Sequence, residues 1–215
     1  MKERSAGIES SWPDSRYLIG CLAPAGCAPG EYKPSAETIS FKAFNRLRMA
    51  ALSLPVPPAF ANGTIYCHDA ASSSKASQPD LWRQGLQALE RATRLRFGDA
   101  QLPLLLSVRS GAPVSMPGMM ETRLNIGLCD STLPGFLSLT GNLRLVCDTY
   151  RRLVASYGEV VAGVPPSIFD TESATLVGTR DERDLDFAEL RALTHRYLEA
   201  YVGAAGKPFP QDPQA

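Results

Sequence analysis

SVRSGAPVSMPGMMETRLNIGL, running from Ser107 to Leu128, joins a short apolar run to a loop of glycine, proline and methionine. The run from Leu102 to Val108 is bounded by Asp99 and Gly111, and its length and apolar character predict a buried strand. Such a strand carries Arg109 to its carboxyl end, the place where α/β folds collect ligands. A guanidinium offers a rigid fork of donors matched to phosphate oxygens, and Gly111 and Gly118 let backbone amides approach an anion closely. The residues by themselves leave two readings open. One is a phosphate site. The other is a structural ion pair at Arg109, with Met116, Met119 and Met120 filling gaps in a core.

Upstream, Tyr17 to Leu22 predicts a strand, followed by loop signals at Pro24, Gly26, Pro29 and Gly30. Residues 1–40 carry few other signals. Phe41, Phe44, Leu47, Ala51 and Leu52 fall at helical spacing, and the helix must stop before Pro55, Pro57 and Pro58. A second helix is expected from an N-cap at Asp80 to about Phe97, with Gly98 ending it. Downstream, helices are expected over Leu143 to Tyr157 and Asp186 to Val202, the latter opened by an Asp186/Glu189 capping box. The change of character near Asp130 predicts an α/β lobe over residues 1–130 and a mostly helical subdomain over 131–215. Its last residues, Lys207 to Ala215, are expected to form an exposed Pro-rich tail.

Lysine plus arginine equals aspartate plus glutamate at 22 each, so there is no basic footprint for nucleic acid or anionic lipid. No apolar run approaches the roughly 20 residues of a membrane helix. The start of the chain turns polar after Lys2, Glu3 and Arg4, which makes the cytoplasm the expected compartment. Five cysteines without CxxC spacing argue against a zinc ribbon or a disulfide framework. His68 and His195 are expected to be ordinary structural or surface residues. Arg151 and Arg152 predict a solvated helix face, and Leu190, Leu193, Tyr197 and Tyr201 a core stripe that could alternatively dock a partner lobe.

The Ser107 to Leu128 stretch, with its SMPGMM loop, closely resembles the nucleotide-binding signature of the pyruvate, phosphate dikinase family. LPVPPAF (Leu54 to Phe60), LTGNLRLVCDTYRRLV (Leu139 to Val154) and KPFPQDP (Lys207 to Pro213) resemble the family in the same order. The resemblance implies part of an ATP-grasp-type region, in which two lobes sandwich ATP and magnesium, with a helical subdomain between them. It also implies a nucleotide-binding set of Arg109, Lys42, Ser115, Gly118, Met119 and Thr122, with Asn45 where the family has asparagine. No catalytic or metal-binding residue is carried over.

The match is imperfect around Lys42. The family has a glycine pair before this lysine and a glycine after it, where this chain has Ser40, Phe41 and Ala43. Glu121 replaces the family's usual aspartate. Past the FPQDP segment the family continues into a second lobe that brings the magnesium carboxylates. The expectation is therefore a kinase-family ATP-binding module, not catalytically complete alone, whose partners are a nucleotide and a companion chain carrying the second lobe. The alternative is a stand-alone non-catalytic remnant serving as a binding, regulatory or interaction protein. A metal-binding half supplies a principal part of phosphoryl transfer, because that reaction is mostly positioning and charge neutralisation.

Overall fold

A computed structural model of the chain describes residues 19–22, 34–64, 79–109 and 122–213. These form an α+β arrangement of helices with two small two-stranded sheets. They divide into two compact units, one of residues up to Arg94 and one of residues 95–109 and 122–213.

In the first unit, β1 (Ile19–Leu22) and β2 (Ala59–Asn62) pair in parallel, Ile19 opposite Ala59 and Leu22 opposite Asn62. Parallel neighbours require a crossover, which here contains α1 (Ala36–Ile39) and α2 (Phe41–Ala51). Ser35 and Thr38 form a capping box at the start of α1. The helix predicted from Phe41 is present and ends where Leu52 and Ser53 turn back on Arg48, Met49 and Ala50, just ahead of the prolines. The third helix, α3 (Pro79–Thr93), buries Leu86, Ala88 and Leu89. Gly85 lies against the Phe60 ring, where a Cβ would collide, so this glycine is what lets α3 approach β2.

Helix α3 stops four residues short of the predicted Phe97. Arg94 turns left-handed at φ 61°, and the backbone of Arg96 is claimed elsewhere: its N–H donates to Leu102 O and its carbonyl accepts from Leu104 N. That bridge also explains why the expected strand over Leu102 to Val108 is wrong in extent. Residues 99–104 fold into a turn held by Asp99, whose Oδ1 accepts from the amides of Gln101 and Leu102 at 2.8 Å. The strand itself, β3, covers Leu106–Arg109. It is not buried, because a two-stranded ribbon leaves a face uncovered; Val108 is 54% exposed. Antiparallel to it runs β4 (Thr122–Ile126), with an irregularity between Leu106 and Val108.

The rest of the second unit is helical: α4 (Leu133–Thr140), α5 (Leu143–Val160), α6 (Pro166–Val177), a 3₁₀ turn (Glu182–Asp184) and α7 (Phe187–Ala205). Helices α5 and α7 form the most extensive pair. The Asp186/Glu189 capping box is present, with reciprocal bonds of 2.8 and 3.0 Å. Leu190, Leu193, Tyr197 and Tyr201 lie in the core beside Val154 and Phe169, so the stripe is not available for docking a partner. His195 is exposed on the same helix, and His68 lies outside the described residues.

Two further expectations are corrected. Arg151 does not lie on a solvated face: its side chain is 6% exposed and donates to Asp148, Glu182 and Tyr197. Nor is the segment after Lys207 an exposed tail. Phe209 is buried among Tyr150, Tyr157 and Tyr201, with ring centroids 5.3 to 6.1 Å away. Gln211 Nε2 donates to Tyr150 Oη at 3.1 Å, and its Oε1 accepts from Asp130 N at 2.9 Å.

Candidate functional site

The nucleotide-site residues expected from the sequence fall into three groups. Arg109 and Thr122 are neighbours in the second unit, Lys42 belongs to the first, and Ser115, Gly118 and Met119 lie outside the described residues, as does Glu121.

Arg109 is the last residue of β3, and Thr122 is the first of β4. Antiparallel register places them directly opposite each other. The ribbon therefore holds both ends of segment 110–121 at one place, and Arg109 stands at the carboxyl end of its strand as the apolar run implied. Its side chain is exposed. Its Nε makes a 3.4 Å contact with Ser107 Oγ, at the long end of hydrogen-bond distances. No ion pair to Arg109 occurs among the described residues. Its paired Nη donors, the part of the fork that grips an oxyanion in two places, are thus left unspent there.

Lys42 is exposed in the first turn of α2. A cation at a helix start faces the positive end of the helix dipole, so it does not help the helix. Before it stands Ser40, the N-cap, at φ 77° and ψ 152°, a backbone region used essentially by glycine alone. Ser40 thus keeps a glycine-type backbone at one of the positions where the resembling family has glycine. Its Oγ accepts from Ala43 N at 3.5 Å, occupying one of the amides that a helix start would otherwise turn toward an anion. Asn45 is half-buried in the same helix.

The second unit also carries a charged cleft of about 470 Å³ lined by Arg144, Asp148, Arg152, Asp181, Glu182 and Arg183. Sequence reasoning missed it because its walls come from α5 and from the turn before α7. Buried Arg151 lies behind it, joined to Asp148 and Glu182. Burial pushes the Asp148 carboxyl up, but hydrogen bonds and charge from Arg151 and Arg152 outweigh this and hold it below the ordinary carboxylate range. Among the described residues, no group of three or more His, Cys, Asp or Glu converges to hold a metal ion, and no helix is long and apolar enough to cross a membrane.

No family model matches the chain. Among curated proteins, it is 38% identical over 188 residues to pyruvate, phosphate dikinase 1, chloroplastic, of Oryza sativa, a match covering 85% of this chain and 20% of that protein. The chloroplastic enzyme of Flaveria pringlei matches at 40% over 188 residues, with the same coverage. Pyruvate, phosphate dikinase of Rhizobium meliloti matches at 37% over 194 residues, 86% of this chain and 22% of that protein. The chain spans about one fifth of the length of the curated relatives it matches.

Proposed function

We propose that this chain, a relative of the pyruvate, phosphate dikinases over 85% of its own length, supplies part of an ATP-phosphate site of the ATP-grasp type, with Arg109 as its main anion ligand. The observation that carries this reading is the position of Arg109. It is exposed at a strand end and opposite Thr122, with its Nη donors unengaged among the described residues, and it lies within the stretch of sequence that resembles the dikinase signature. Ser115, Gly118 and Met119 would bring the loop to the phosphates, with Thr122 at its base. Lys42 would add a point charge. Residues 1–130 would then be the first lobe and 131–215 the helical subdomain.

The family reaction would convert ATP, phosphate and pyruvate to AMP, pyrophosphate and phosphoenolpyruvate. Magnesium would neutralise the charge on the phosphates, and no described residue of this chain is assigned to it. Its carboxylates would come from residues outside these 215, in the same polypeptide or in a companion chain. The role proposed for this chain is to bind and orient phosphate. The cytoplasm is the compartment proposed, although the plant relatives are named chloroplastic.

A second reading rests on Ser40 and Phe41. The serine hydroxyl already caps α2, and bulky Phe41 follows it, so the start of α2 would be closed to phosphate. The chain would then be a non-catalytic binding, regulatory or interaction protein. Thermal unfolding with and without ATP and magnesium separates the two, repeated with Arg109→Ala and Lys42→Ala. A ligand at one hundred times its dissociation constant adds about 2.7 kcal/mol. A stabilisation lost with Arg109→Ala supports the nucleotide site; its absence from the unaltered protein supports the second reading.

A further inference from the structure

The geometry points to a second anion site, distinct from the loop at Arg109: the cleft between α5 and the 181–183 turn binds a phosphate-type oxyanion. Ligand pockets are mostly apolar, whereas all six residues lining this one are charged, so its chemistry selects a charged ligand. The sign of that ligand follows from which groups are already engaged. Asp148 accepts from Arg151 Nη2 through Oδ1 and from Arg152 Nε through Oδ2, both at 2.8 Å. Glu182 accepts from Arg151 through Oε2 and from Ser173 through Oε1. Asp181 accepts from Arg183 N and caps the turn.

The arginines keep donors in reserve. Arg152 is 65% exposed and uses only Nε; Arg183 is 91% exposed and has only a 3.9 Å approach of Nε to Asp181. The Nη groups of both have no partner among the described residues. The cleft is also held in shape. Arg144 Nε donates to Leu185 O at 2.8 Å and its Nη2 to Arg183 O at 2.6 Å, tying the turn to α5 before any ligand arrives. Spacing of four residues puts Arg144, Asp148 and Arg152 along one face of α5. Two guanidinium forks with unused Nη pairs, beside carboxylates that already accept hydrogen bonds, match the bidentate donor pattern that oxyanions prefer.

Inorganic phosphate and the phosphates of ATP share this chemistry, and separate arms distinguish them. The full chain is titrated with inorganic phosphate, and with ATP lacking magnesium, against sodium chloride of matched ionic strength. Unfolding midpoints and backbone amide NMR shifts are followed. The expected result is a rise in midpoint with shifts confined to residues 144–152 and 181–185, abolished in Arg152→Ala/Arg183→Ala and retained in Arg109→Ala. A response to ATP alone, lost in the same double variant, identifies the anion as a nucleotide phosphate. Both substituted side chains are exposed, and the fold of the variant is checked by its own amide spectrum. No response beyond the chloride control overturns the site, as does a response that survives the double substitution. Loss of an effect only with Arg109→Ala would instead trace it to the proposed nucleotide loop.

Discussion

Arg109 and Thr122 face each other across the β3–β4 ribbon, the last residue of one strand opposite the first of the other. Backbone pairing thereby fixes the residues that flank the SMPGMM-containing stretch, while the Arg109 side chain remains exposed, with no ion pair among the described residues. A ligand that engages Arg109 consequently meets a group whose removal costs the fold little. Arg109→Ala is expected to change stability by less than about 0.5 kcal/mol while abolishing the stabilisation by ATP with magnesium that remains in the Arg152→Ala/Arg183→Ala background. Arg109→Lys should restore only part of it, because an ammonium cannot grip two oxygens in a fixed plane. Parallel melting curves with and without nucleotide check both.

Arg151 pairs with Asp148 within α5 and joins that helix to the 3₁₀ turn through Glu182 and to α7 through Tyr197. Arg151→Ala is expected to destabilise the protein by about 3 kcal/mol, near the low end for a broken buried pair because Glu182 remains open to solvent. Urea denaturation measures it.

The same cluster predicts a pH dependence. Asp148 is held below the ordinary carboxylate range despite its burial, so its contribution is complete above the unfolded value of about 4 and is lost as pH falls through the lower folded value. Stability should therefore decline on acidification below about pH 4. Removing the Arg151 partner with Arg151→Ala should flatten that decline, which urea midpoints collected between neutral and acidic pH would reveal.

Phe209 fills the space between Tyr150, Tyr157 and Tyr201, and Gln211 anchors the same segment to Tyr150 and Asp130. Phe209→Ala should cost about 3 to 4 kcal/mol through the cavity it leaves, and Gln211→Ala about 1 kcal/mol. Faster amide hydrogen exchange in α5 and α7 would accompany the first. If Phe209→Ala left stability unchanged, the burial of this segment would be refuted.

Ser40 sits in a backbone region where a side chain costs about 1 to 3 kcal/mol. A glycine N-cap is only a few tenths of a kcal/mol worse than serine, and glycine adds some freedom to the unfolded chain. Ser40→Gly should therefore stabilise the protein by about 1 kcal/mol in thermal unfolding.

Local chemistry is readable from the chain alone. The helix starting at Phe41, its stop before the prolines and the Asp186/Glu189 capping box all depend on groups a few residues apart, so one chain segment specifies them. The strand end at Arg109 was legible in the same way. Helices α4 and α6 carried signals that periodicity alone passed over: prolines in the first turn, and Gly141 and Gly178 just past the ends.

Burial is set by the fold as a whole. Arg151 looks like a surface residue until Glu182, 31 positions away, and Tyr197, 46 away, close over it. Phe209 and Gln211 look like a tail until Tyr150, 61 positions before Gln211, receives them. The charged cleft arises likewise, because its arginines and carboxylates meet only when the turn before α7 returns to α5. Whether a charged side chain stays in water or leaves it depends on which distant groups satisfy it, and no local pattern encodes that.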